Sequence, residues 1–157
     1  VLMGWSMGGA ICFQTLLQSA HRELIRGLVL DSPVVEWSSV LEFQATLNRL
    51  PRLVGRAALT RLRGTAPHRW PGADGAGLNM LARAGEITVP VLILHSTDDG
   101  FVPAEPSAEL ARRRPDLVTT RLFSVARHTR IWNDQRELWT ATVTDWLVRV
   151  KLSAGTK

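Results

Sequence analysis

An α/β architecture, a parallel sheet flanked by helices, is what this sequence predicts, and three observations carry it. Short apolar runs at residues 1–3, 24–30, 91–95 and 118–125 alternate with stretches of helical spacing, as expected for strands joined by helical crossovers. Each run empties into residues that turn the chain or do chemistry: Gly4-Trp5-Ser6-Met7-Gly8, Asp31-Ser32-Pro33, Ser96-Thr97-Asp98-Asp99-Gly100 and Ala126-Arg127-His128. Open α/β sheets gather functional groups at the C-terminal ends of their strands, so this placement is the one the architecture requires. The chain's 157 residues, 45% of them hydrophobic, amount to one domain with a sizeable core.

The first element is the most informative. Val1-Leu2-Met3 leads into Gly4-Trp5-Ser6-Met7-Gly8-Gly9-Ala10, a strand that turns sharply into a helix carrying Ile11, Cys12, Phe13, Leu16 and Leu17 as its apolar surface. A serine hydroxyl attacks carbonyls poorly unless it is exposed on such a turn and a base takes its proton, so Ser6 is the candidate nucleophile. The turn brings neighbouring backbone close, which predicts residues without side chains at Gly4 and Gly8. The Met7 amide, opening the helix, would point at the oxygen of a bound carbonyl.

This stretch resembles the nucleophile elbow of the α/β-hydrolase family, which often reads G-W-S-M-G-G. The resemblance implies a Ser, acid, His order downstream. It also implies that several strands precede the elbow, and hence that this is the C-terminal part of a longer serine hydrolase, with a second oxyanion donor upstream of Val1. The expectation is that these 157 residues are inactive alone. No signal-peptide pattern or membrane-spanning run is evident.

Charge and cysteine content narrow the classes. The net charge is +5, with 17 Arg and 2 Lys, but the arginines are scattered and only Arg112-Arg113-Arg114 forms a run, which argues against a nucleic-acid interface. A single cysteine, Cys12, excludes an internal disulfide and a cysteine-based metal site, and it reads as helix core. No Gly-rich phosphate loop or metal-ligand cluster competes with the hydrolase reading, which needs no metal or organic cofactor and takes a small-molecule acyl substrate as its partner.

After the elbow helix, His21-Arg22-Glu23 marks a polar break and residues 24–30 read as a buried strand ending at Asp31. Asp31 is a candidate catalytic acid by position, and an Asp before Ser-Pro is equally a turn former. Residues 36–86 interrupt the alternation. Trp37, Val40, Leu41, Ala45 and Leu47 predict a helix from 37 that Pro51 ends, a second and more basic helix spans 53–62, and residues 64–77, with Pro67 and Pro71, form a loop. The resemblance makes this insertion a helical cap over the active site; an ordinary helical crossover enlarged by a loop is the other reading. His68 and Trp70 read as surface residues.

Pro90 precedes the most apolar strand, at 91–95, at a position that needs no ladder donor. The segment His95-Ser96-Thr97-Asp98-Asp99-Gly100-Phe101-Val102-Pro103 resembles the family's acid loop, H-G-x-x-D-x-x-V-P, with Ser96 where the family often has Gly. Counting back from Pro103 gives Asp99 as the acid and Asp98 as a turn residue capping the loop. His95, four residues before the acid, reads as satisfying local backbone groups. A helix over 105–114 follows, stopped by Pro115, then a half-buried strand over 118–125 centred on Leu122 and Phe123.

His128 follows that strand, where the resemblance puts the general base. A neutral imidazole can take the serine proton and return it to a leaving group, and a carboxylate on its other nitrogen fixes the tautomer. Trp139, Val143, Trp146, Leu147 and Val150 share one face of a final helix over 134–150, which leaves 153–157 as a tail beyond a single domain at 1–152. The resulting expectation is a serine hydrolase of esters or other acyl compounds using Ser6, Asp99 and His128, with a peptidase of the same fold or a non-catalytic relative as the alternatives.

Overall fold

The computed structural model describes residues 1–51, 53, 54, 57, 60 and 79–154. Most of the expected second helix at 53–62, the loop at 64–77 with His68 and Trp70, and residues 155–157 lie outside the described residues.

Four described strands form one parallel sheet in the order β1 (Leu2–Trp5), β2 (Leu28–Asp31), β3 (Val91–Ser96) and β4 (Val118–Phe123). The register pairs Trp5 with Asp31, Asp31 with Leu94, and Ser96 with Phe123, so the ends of the four strands come together at one edge of the sheet. Helices α1 (Met7–Gln18), α2 (Trp37–Leu47), α3 (Glu105–Arg113), α4 (Ile131–Asp134) and α5 (Arg136–Ala154) make up the described connections and the end of the chain.

The two-residue period of a strand divides the core into two layers. Leu28, Leu30, Val91 and Ile93 face α1 and α3, packing with Ala10, Phe13, Leu16 and Leu110. Val29, Leu92 and Leu94 point the other way, onto Ile131, Val143 and Trp146. Covered on both faces, β2 and β3 are buried at every residue, which is why they read as unbroken apolar runs. Burial of each such side chain contributes about 1.5–3 kcal/mol. Trp146 reaches the start of β2, where a Cβ on Gly27 would lie 2.8 Å from its indole ring.

Several element boundaries differ from the sequence expectation. Leu24 belongs to an exposed 3₁₀ turn (Arg22–Leu24), and β2 starts four residues later, because Gly27 is the first point at which the chain joins the sheet. Helix α2 stops at Leu47 rather than at Pro51, as the Asn48 side chain caps Gln44 and Arg49 turns left-handed (φ 54°). β4 ends at Phe123, and the last helical segment breaks at Gln135 into α4 and α5. Ile11 and Leu147, both read as lying on buried helix faces, are exposed, because their helices cover the sheet along narrower stripes than their apolar residues span. Cys12 is only partly buried, and burial pushes its thiol up from the ordinary value.

The chain leaves and re-enters the sheet layer at a clamp. The Met80 amide donates to the Val35 carbonyl (2.9 Å), Asn79 Nδ2 donates to Glu36 Oε1 (3.1 Å), and Ser39 donates to the other oxygen of Glu36. From this base α2 lies beside the loop after β3, where Gln44 Nε2 donates to the Phe101 carbonyl (2.8 Å).

The elbow glycines are unequal. A Cβ on Gly4 would lie 2.5 Å from the Gly8 carbonyl oxygen and 2.8 Å from Cys12 Sγ, whereas one on Gly8 would meet open space. The close approach therefore falls on Gly4, which meets the backbone of Gly8, and the expected need for a bare residue at Gly8 is not seen. Gly9 is the other crowded position, at 2.7 Å from Pro33 Cβ. Gly4→Ala should destabilise the fold by about 1–3 kcal/mol through overpacking. Gly8→Ala should be neutral or stabilising by up to about 1 kcal/mol, since it lies in a helix. Urea titrations of the two variants check the contrast, and equal losses at both positions would refute it.

Candidate active site

Ser6 stands between β1 and α1 with φ 53° and ψ −121°, a backbone conformation an L residue adopts only under restraint. The restraint is visible on both sides. Its amide donates to the Asp31 carbonyl (2.9 Å), and its carbonyl accepts from Gly9 N (3.0 Å) and Val34 N (3.1 Å). Five non-glycine residues among those described have positive φ, and four of them, Ser6, Ser32, Arg127 and Thr129, surround this point. Met7 heads α1, so its N–H is among those that a helix leaves without an intrahelical acceptor.

Asp99 sits in the turn after β3, fully enclosed apart from 6% of its surface. Its Oδ1 accepts from the amides of Phe101 (2.8 Å) and Val102 (2.9 Å), and its Oδ2 accepts from His128 Nδ1 (2.8 Å). Burial by itself raises the carboxyl's proton affinity. The donors from His128, His95 and the two amides outweigh it and hold the group well below the usual carboxylate range. Charge-assisted bonds of about 1.5–3 kcal/mol each are of the right size to offset a desolvation penalty of several kcal/mol.

The carboxylate can only accept, so His128 carries its proton on Nδ1 in the neutral ring, leaving Nε2 bare. Nε2 lies 2.9 Å from Ser6 Oγ, the geometry of a hydroxyl donating to a base. Ser6, His128 and Asp99 are thus joined in one hydrogen-bonded chain, although Ser6 and His128 are 122 residues apart. The ring of Phe101 lies against that of His128, 5.2 Å between centroids.

Asp98 and Asp99 are adjacent and face opposite ways. Asp98 Oδ1 accepts from the amides of Ala126 and Arg127 (both 3.0 Å) and from Ser96 Oγ. Those donors, Ser96 first, hold its carboxyl below the usual carboxylate range, and the two amides tie the loop bearing His128 to the loop bearing Asp99. The expected cap is present through Ser96 in its own turn, and it extends to two amides of the distant loop. His95 satisfies a backbone group as expected: its Nε2 donates to the Val102 carbonyl (3.1 Å), which leaves Nδ1 to accept from Ser107 Oγ (2.8 Å). Nε2 also lies 3.4 Å from Asp99 Oδ2, a contact the sequence reading missed.

Asp31 is buried at the end of β2, bonded to Trp139 Nε1 (2.9 Å) and Ser32 Oγ (3.1 Å) and not to His128. Trp139, read as plain core, uses its indole N–H here. Trp5, Met7 and Phe101 leave large apolar side chains exposed around Ser6 and His128. A separate groove of about 610 Å³ opens between α2 and the start of α3, lined by Phe43, Glu42, Pro103, Glu105 and their neighbours, and none of Ser6, Asp99 or His128 lines it.

No protein-family model and no curated protein matches this sequence. Solved structures do. An esterase of Pyrococcus furiosus is similar at 20% identity and a TM-score of 0.66 over 94% of this chain and 52% of its own. An alpha/beta hydrolase enzyme from the metagenome of lagoon sediments at Mar Chica, Morocco, is similar at 19% identity and a TM-score of 0.60, over 95% of this chain and 61% of its own. An acylaminoacyl peptidase of Pyrococcus horikoshii gives 19% identity and a TM-score of 0.58, with 85% and 20% covered. The chain spans about half the length of the esterase it resembles. The parallel sheet, the strand-turn-helix at Ser6 and these likenesses together show that the chain has the α/β-hydrolase fold.

Proposed function

We propose that this chain carries the catalytic triad of a serine hydrolase acting on carboxylic esters or related acyl compounds. The observation that carries the reading is the unbroken hydrogen-bonded sequence from Asp99 through His128 to Ser6, ending on a serine whose backbone is strained at a strand-to-helix turn. In the reaction, Ser6 Oγ attacks the acyl carbon as His128 Nε2 takes its proton. The Met7 amide stabilises the oxyanion. His128 then gives the proton to the leaving oxygen, and a water activated by the same imidazole releases the acid from the acyl-enzyme. Asp99, which stays ionised, holds the imidazole in the tautomer that leaves Nε2 free.

The exposed Trp5, Met7 and Phe101 favour a substrate with an apolar acyl or alcohol group beside the reacting carbonyl. The same machinery would cleave an amide, and one of the similar structures is an acylaminoacyl peptidase, so aminoacyl amides belong in the same assay. The insertion that begins with α2 is proposed as a cap, supported by the bond from Gln44 to the carbonyl of Phe101, the residue whose ring lies against His128.

Three outcomes are expected, all measured on the protein as its gene encodes it. A fluorophosphonate probe should label Ser6, and Ser6→Ala and His128→Ala should each abolish labelling and lower turnover by several orders of magnitude. Labelling that persists in Ser6→Ala would remove the nucleophile. Asp99→Asn should lower turnover by roughly 10⁴. Asp98→Asn, which loosens the base loop without touching the imidazole, should cost far less, on the order of 10-fold; kinetics in the reverse order would exchange the two roles.

The third outcome concerns stability. Because Asp99 is more acidic folded than unfolded, its ionised form stabilises the protein fully above the unfolded carboxylate's value of about 4, and that contribution fades as pH falls towards the folded value. The gap in unfolding free energy between the parent and Asp99→Asn should therefore be widest near neutral pH and narrow below about pH 4. A gap that stays constant down to pH 2 would mean that the Asp99 interactions do not favour its charge.

A further inference from the structure

His128 occupies an awkward stretch of chain. Arg127 (φ 47°) and Thr129 (φ 54°) flank it in left-handed conformations, neither is glycine, and such residues persist only where their surroundings hold them. Their strain leaves the imidazole's position to outside restraints. On the N-terminal side the restraint is Asp98, which takes the amides of Ala126 and Arg127. On the C-terminal side it comes from another strand end, where Ser32 Oγ accepts the amide of Thr129 (3.2 Å).

Ser32 is itself built in. It is fully buried, left-handed (φ 48°), and its amide donates to the Leu94 carbonyl (2.8 Å). A hydroxyl has one proton, and this one goes to Asp31 Oδ1 (3.1 Å), so the lone pairs are directed at Thr129. Asp31 is also buried, and its second oxygen is occupied by the indole N–H of Trp139 from α5 (2.9 Å). Burial raises its proton affinity, and the indole and hydroxyl donors, with the nearby His95 and His128, oppose that rise. The carbonyl of the same Asp31 takes the amide of Ser6 (2.9 Å). Two consecutive residues at the end of β2 therefore touch the nucleophile's backbone on one side and the base's loop on the other.

We propose that Asp31 and Ser32 form a positioning latch that sets the distance between Ser6 and His128, with Asp31 orienting the Ser32 hydroxyl so that it accepts the Thr129 amide. Neither side chain touches the reacting atoms. The latch acts through Thr129, and it rests on the reading of His128 as the general base. Its loss should misplace the imidazole rather than alter substrate binding, so it should lower kcat and leave KM alone. A displacement of about 1 Å at a catalytic group is worth up to about 10²-fold in rate.

The test uses Ser32→Gly, which removes the hydroxyl at a left-handed position that glycine tolerates, alongside Ser32→Ala, which removes it and keeps the backbone strain. Both should lower kcat on an acyl ester, and the rate of fluorophosphonate labelling at Ser6, by roughly 10- to 100-fold with KM within about twofold. Hydrogen exchange followed by NMR supplies a readout independent of catalysis: the Thr129 amide should be protected in the parent and exchange faster in Ser32→Gly. Asp31→Asn should give an intermediate loss, because an amide still accepts from Trp139 but no longer accepts the Ser32 proton.

Parent-like kcat in Ser32→Gly, or a Thr129 amide unprotected in the parent, overturns the latch. So does an Asp31→Asn loss as deep as that of Asp99→Asn, which would make Asp31 the triad's acid. If the parent is not labelled at Ser6 while Thr129 exchange still responds to Ser32→Gly, the hydrolase reading fails and the structural link stands.

Discussion

Parallel strand direction is the constraint from which the rest of this structure follows. When neighbouring strands run the same way, each chain reversal after a strand falls on the same edge of the sheet, however far apart the strands are in sequence. The register of β1 to β4 puts Ser6, Asp31, Asp98, Asp99 and the approach to His128 along that one edge. Helices then have to cover both faces, since β2 and β3 carry apolar side chains up and down alike. The polar edge and the two apolar faces are consequences of a single choice of strand direction.

Along that edge, adjacent residues divide separate tasks. Asp99 turns inward and gives one oxygen to its own turn and the other to His128; Asp98 turns towards the β4 loop and holds two of its amides. Asp31 and Ser32 repeat the device from the other side, one through its carbonyl to Ser6 and the other through its hydroxyl to Thr129. The left-handed residues at 6, 32, 127 and 129 are where this cross-bracing concentrates. Local strain is held in place by bonds between loops that no single loop could form by itself.

Much of the fold was legible because its signals are local. The apolar run at 91–95 and the small residues around Ser6 each announce an element from within a few residues, and the spacing of Trp139, Val143 and Trp146 announces a buried helix face. Ser6, Asp99 and His128 were legible as candidates because each follows a strand, in an order a known family uses. What the sequence did not disclose depends on who meets whom across loops. Whether Asp98 would cap its own turn or the amides of Ala126 and Arg127 cannot be read from a dipeptide, and nothing in a helical Trp139 shows that its N–H ends on Asp31. The misread core residues fail for a related reason. Leu24 and Leu147 are apolar at plausible spacing, but burial depends on how much of an element's circumference the neighbouring layer covers, which is a tertiary quantity.

The separation of Ser6 and His128 has a consequence for how the protein comes into being. Their contact closes 122 residues of chain, and the loop that carries His128 is held by the ends of β2 and β3 as well as by β1. Contacts of such long range form only after the entropy of closing the intervening chain has been met, so they belong to the late, slow part of folding in a sheet of this kind. A partly folded chain then holds Ser6 at the turn into α1 without the imidazole of His128 beside it. The hydrogen bond between Ser6 and His128 is in this sense a property of the finished topology, and its return after denaturation marks the moment at which β1 and the loop after β4 have been brought together.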